Sequence, residues 1–95
     1  MIRRTASVPT DRPARWAKQL LSHFGAKVDV VLEGDGGTIT FGAGKGTVRV
    51  EPNVLVLGAE AETESDVQMV QNVLGGHFER FAAKDGLTAN WSEAG

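Results

Sequence analysis

The sequence predicts an α+β fold in which two helices cover one face of an antiparallel sheet. Three observations carry that expectation. Two stretches repeat apolar residues at helical spacing, and several others alternate apolar and polar residues at strand spacing. The alternating stretches are also joined by turns too short for parallel crossovers. The 95 residues (10.1 kDa) are read as a single α+β domain over 1–95, a length typical of one domain. Apolar residues make up 41% and charged residues 23%, enough for one modest core.

Residues 2–9 read as a strand with Ala6 and Val8 inward, closed by Pro9, which biases Val8 to extended geometry. Thr10-Asp11-Arg12-Pro13 reads as a helix start, since a hydroxyl or carboxylate can cap free N–H groups and proline fits the first turn. Trp16, Leu20 and Phe24 recur every fourth residue with Ala17 and Leu21 beside them, predicting a helix over about 11–24. Gly25 is expected to end it in a left-handed conformation.

Four strands follow. Val28, Val30 and Leu32 form one inward set, and Gly34-Asp35-Gly36-Gly37 turns the chain. Ile39 and Phe41 point inward next, before a second glycine turn from Gly42 to Gly46. Val48 and Val50 alternate with Thr47, Arg49 and Glu51, and Pro52-Asn53 supplies a tight turn. Leu55, Leu57, Ala59 and Ala61 line one side of the last strand, while Val54 and Val56 point to the side expected to be wet. Together these make an antiparallel meander.

The second helix opens at Thr63-Glu64-Ser65-Asp66, with Ser65 and Gln68 read as a capping box. Val67, Val70, Leu74, Phe78 and Phe81 share one helical face, which Gly75-Gly76 interrupts. Each glycine costs roughly 1 kcal/mol against alanine, so either the helix breaks there or close packing offsets the loss. Gly86 is expected to end the helix, and Leu87, Ala89 and Trp91 alternate as a short final strand. The order is β-α-β-β-β-β-α-β, the layout of a TATA-binding-protein half-repeat or a helix-grip fold, a likeness that carries no function.

Several function classes drop out. The chain has no cysteine, which excludes disulfides, thiolate metal sites and cysteine catalysis. No run reaches the ~18 apolar residues of a membrane span. Arg3-Arg4 is followed by no apolar region, so no export signal is expected and the cytoplasm is the expected compartment. Residues 1–27 carry a balance of +5 and the remainder −7. The strands lean acidic, which argues against nucleic acid on the sheet.

Candidate chemistry is sparse. Gly37 and Gly42 have the spacing of a phosphate loop, but Ala43 stands where lysine is required, and no helix follows. Ser22 and His23 are helix neighbours about 100° apart, so they form no catalytic pair. No catalytic constellation, metal motif or cofactor motif emerges, and the reading is non-enzymatic. His23 and His77 each precede a core phenylalanine, Phe24 and Phe78, and so lie at the edges of the two apolar stripes. Two helices packed side by side bring both imidazoles to one seam, where a metal would need carboxylate ligands such as Asp29, Glu79 or Asp85.

Short motifs in this chain resemble those of the bacterial domain of unknown function 2218 family. They are Ala6-Ser7-Val8-Pro9-Thr10, the run from Leu20 to Val28, His77-Phe78-Glu79-Arg80-Phe81-Ala82, and Leu87 to Trp91. That family often has a second histidine where this chain has Ala26, which weakens any metal site at the first helix end. The resemblance implies a companion of siderophore-interacting proteins, the flavin reductases that release iron from ferric siderophores.

Two expectations follow. One is an accessory module of siderophore or iron handling that binds a ferric-siderophore-like ligand or its reductase partner. A ligand would lie between sheet and helices near His23, Phe24, His77, Phe78 and Trp91, supported by a cavity there and opposed by a packed core. The other is a homodimer or adaptor without a small ligand, for which Val54 and Val56 are the sequence feature. An enzyme would need a perturbed carboxylate–histidine pair in a pocket.

Overall fold

The computed structural model describes residues 1–93, and the alternating stretches form one six-stranded antiparallel sheet. The elements are β1 (Ile2–Pro9), α1 (Pro13–Gly25), β2 (Asp29–Glu33), β3 (Gly36–Thr40), β4 (Lys45–Glu51) and β5 (Val54–Ala61). Then come α2 (Glu64–Phe81), a 3-10 turn (Ala83–Asp85) and β6 (Ser92–Glu93). Strand order is β2-β3-β4-β5-β1-β6. The meander is as expected, and β1 closes onto its far side, pairing Ile2 with Ala61 through Pro9 with Val54. Thr10 N–H donates to the Asn53 carbonyl at 3.1 Å, tying the end of β1 to the β4–β5 turn. That turn uses Pro52 and Asn53, the latter at φ 59°, the dihedral that the second central position of a type II turn requires.

Both helices lie on one face. Helix α1 packs across β2 to β5, and α2 across β4, β5 and β1. Trp16, Ala17, Leu20, Leu21 and Phe24 of α1 are buried with Leu74 and Phe78 of α2 over Ala6, Val8, Ile39, Val48, Leu55 and Leu57. A smaller cluster joins Val67 and Val70 to Ala59 and Ala61. On the opposite face the register sets Arg3 against Glu60, and their side chains meet at 2.9 Å.

The ends of elements depart from expectation. Helix α1 begins at Pro13 with Arg12 as its cap residue, and no side chain caps it; the Thr10 hydroxyl instead accepts from the Arg12 N–H at 3.1 Å. Gly25 is not left-handed but the last helical residue, and Ala26 follows in right-handed geometry while Lys27 and Val28 N–H groups both donate to the Phe24 carbonyl. Thr63, not Ser65, caps α2, its hydroxyl accepting from the Asp66 N–H at 3.1 Å. Gln68 serves Glu64 at 2.9 Å. Helix α2 runs unbroken through Gly75-Gly76 and stops at Phe81, and Gly86 (φ 69°) ends the 3-10 turn that follows it.

Two expectations about strands are corrected. Leu32 has the inward phase of Val30 but is 69% exposed, because it borders an open groove between α1 and the edge of the sheet. Residues 87–91 form no strand. Leu87, Ala89 and Trp91 do pack on the core, but the segment is held by a carboxylate, Ala89 N–H donating to Glu79 Oε2 at 2.8 Å. Among the described residues after it, Ser92 and Glu93 pair with Thr5 and Arg4.

Candidate functional site

The α1–α2 seam gathers most of the aromatic residues singled out above. His23 near the end of α1 stands 4.9 Å from His77 of α2 between ring centroids, with the rings tilted by 41°. Phe24 lies 5.1 Å from His77 and Phe81 lies 5.2 Å from His23, both edge-on. Each imidazole is half-buried at the margin of its helix stripe, as a residue next to a core position must be. His77 Nδ1 lies 2.6 Å from the Val73 carbonyl one turn earlier. A carbonyl only accepts, so Nδ1 donates to it.

Burial among these rings holds the His23 imidazole below its usual 6.5, and the charges of His77, Lys27 and Arg80 push it the same way. The seam therefore favours a neutral His23. Among the described residues, no group of three or more His, Asp or Glu side chains gathers as a metal site.

The other two residues go elsewhere. Phe78 is fully buried, edge-on to Trp16 at 6.1 Å. Trp91 packs on the far side of α2, where a methyl group placed at Gly75 would stand 2.9 Å from its Nε1. The space between sheet and helices is filled by Leu20, Phe24, Leu55, Leu57, Leu74 and Phe78. The seam opens outward as a shallow depression of about 490 Å³, lined by Arg15, Lys18, Gln19, Ser22, His23 and Phe81.

A larger groove of about 780 Å³ lies between α1 and the β2–β3 hairpin. Leu21, Val30 and Leu32 supply its apolar surface, and Arg15 and Lys18 stand on the helix wall. Sequence reading missed it because Leu32 has the phase of a core residue, and only the position of α1 shows that nothing covers it. Val56 is 9% exposed between its strand partners Arg49 and Ser7. The exposed apolar side chains of the sheet are instead Val31 (62%) and Leu32 on β2. Among the described residues no helix is long and apolar enough to cross a membrane.

Residues 5–92 match the model of a family described as an uncharacterized protein conserved in bacteria, DUF2218. The fold is similar to that in the NMR structure of PA4090 from Pseudomonas aeruginosa, at 29% sequence identity and a TM-score of 0.80. That similarity covers 97% of this chain and 96% of the other. No curated protein matches.

Proposed function

The chain belongs to the bacterial DUF2218 family of uncharacterised proteins, and from that footing we propose that it is a non-enzymatic accessory module of siderophore and iron handling that works by docking a protein partner, a siderophore-interacting reductase. The observation that carries the docking reading is the groove between α1 and the β2–β3 hairpin, apolar at Leu21, Val30 and Leu32 and cationic at Arg15 and Lys18. Apolar surface left open beside ordered charge suits a partner surface. The filled interior counts against a ligand held between sheet and helices. The siderophore context is what the family resemblance implies.

A second reading has its own observation. The seam depression sets His23 and Phe81 beside Arg15 and Lys18, a combination of rings and cations suited to an anionic ferric siderophore. One experiment separates the two. Isotopically labelled full-length chain is titrated, with amide-resolved NMR, first with a siderophore-interacting reductase and then with ferric siderophores and their gallium analogues. Docking predicts saturable shifts over residues 14–36 with the reductase alone. Shifts at His23, His77 and Phe81 with the small molecules would favour the second reading, and silence in both arms overturns the siderophore context.

A further inference from the structure

We infer that the free edge of β2 receives an extended segment of a protein partner as a seventh, antiparallel strand, with alternate apolar side chains entering the α1 groove and Lys or Arg side chains beside Asp29 and Glu33. This deepens the docking reading and rests on it, but not on the identity of the partner.

The sheet ends differently on its two sides. At one end, among the described residues, β6 pairs with Arg4 and Thr5, and the β1 edge beyond it ends in Pro9, which has no N–H to offer, features that resist strand addition. At the other, β2 offers five residues, Asp29 to Glu33, paired only with β3. Glu33 and Gly36 flank a two-residue turn at Gly34-Asp35, with Gly34 at φ 60°. In such a hairpin the flanking pair exchanges both bonds, and bonding then alternates along the strand. Glu33, Val31 and Asp29 therefore bond to β3, while the N–H and C=O groups of Val30 and Leu32 face the open edge. These four groups have the spacing an incoming strand needs.

The side chains agree with the backbone. Val30 and Leu32 point toward α1 and line the groove, which lies where an added strand would place its inward side chains. Leu21 forms the apolar wall opposite, and Arg15 and Lys18 its rim. On the outer side Val31 is 62% exposed between two carboxylates.

Charge selects the occupant. A second copy pairing antiparallel over all five residues would centre on Val31 and set Asp29 against Glu33 twice. Like charges directly opposite destabilise a strand pair. A segment with basic residues at the two outer positions and apolar residues between them meets complementary charge at both.

The test uses labelled full-length chain and two capped nine-residue peptides, one with the core Lys-Leu-Val-Val-Lys and one with Glu-Leu-Val-Val-Glu. The basic peptide is expected to shift residues 29–33 saturably and to slow exchange at the Val30 and Leu32 amides. The acidic peptide is expected to bind weaker by about tenfold. Leu32→Lys, at an exposed position, should abolish the shifts while leaving thermal unfolding unchanged. Shifts confined to other residues, equal affinity for the two peptides, or no saturable shift at millimolar peptide overturns the inference. So does a concentration-dependent dimer in sedimentation that Leu32→Lys abolishes, which would make a second copy the occupant. Basic-peptide binding at β2 without binding of the reductase leaves the strand site standing and removes the reductase reading. A reductase that shifts only residues away from 29–33 does the reverse.

Discussion

His23 shows how a single side chain acquires behaviour from its neighbours. Its folded-state value lies below 6.5, with burial as the first cause and the charges of His77, Lys27 and Arg80 as the others. Well above pH 6.5 the ring is neutral in both folded and unfolded chains, and pH has no leverage through it. As pH falls below 6.5 the unfolded chain binds a proton that the folded chain resists, so stability declines until pH passes the folded value. Urea unfolding at pH 7.5 and pH 5.5 should show lower stability at the acidic value, and His23→Gln should shrink that difference. An imidazole titration midpoint at or above 6.5 would contradict the account. Arg4 gives a second case, its side chain 15% exposed and its guanidinium joining Glu64 at 2.6 Å and Gln71 at 3.0 Å. The hydrogen bond from Arg4 holds the Glu64 carboxyl below its usual range. That contribution is present above about pH 4.5 and lost as pH falls through the folded value. Arg4→Met should destabilise by about 1–2 kcal/mol, as loss of charge-assisted bonds does, with Glu64→Gln smaller because that partner is exposed.

The two adjacent glycines of α2 separate propensity from packing at the level of the element. A methyl group at Gly76 meets nothing within 4 Å, whereas at Gly75 it meets Trp91 Nε1 at 2.9 Å and Ala89 Cβ at 3.5 Å. Gly76→Ala should therefore stabilise by about 0.5–1 kcal/mol through helix propensity alone. Gly75→Ala should forfeit that gain and displace Trp91, read as a shift in indole fluorescence that Gly76→Ala does not produce. Apolar stripes placed both helices correctly, but their caps were not legible. Ser65 and Thr63 have the same chemistry two residues apart, and which one caps depends on where β5 releases the chain. The 87–91 segment alternates like a strand, yet its backbone bonds to Glu79, a contact across ten residues that no local pattern announces.

Across the whole molecule the larger of the two buried clusters joins both helices to the sheet, so damage to it is global. Phe78→Ala should cost about 3–5 kcal/mol, against a total of about 5–15 kcal/mol for a domain. At roughly 4–8 °C per kcal/mol for a chain of this size, thermal unfolding followed by circular dichroism should drop by more than 12 °C. Val31→Thr on the open edge should stay within about 0.5 kcal/mol of the parent in the same measurement. A comparable loss from both would mean that the edge strand is already packed against something, contrary to its exposure.

The fold class, the order of elements, the tight turns, the buried stripes and the family resemblance were all legible in the sequence. These rest on local dihedral preferences and on periods of 3.6 and 2.0 residues, which act over a few residues and are therefore written in adjacent ones. It also placed His23 and His77 at stripe edges, and their meeting follows from two such edges facing one another. That β1 closes on β5, that Phe78 and Trp91 leave the histidine seam, and that Leu32 is open follow from how the elements pack together. Each of these depends on whether a distant element covers a given surface, and alternation assigns a side chain to a face without saying whether a helix packs down onto it.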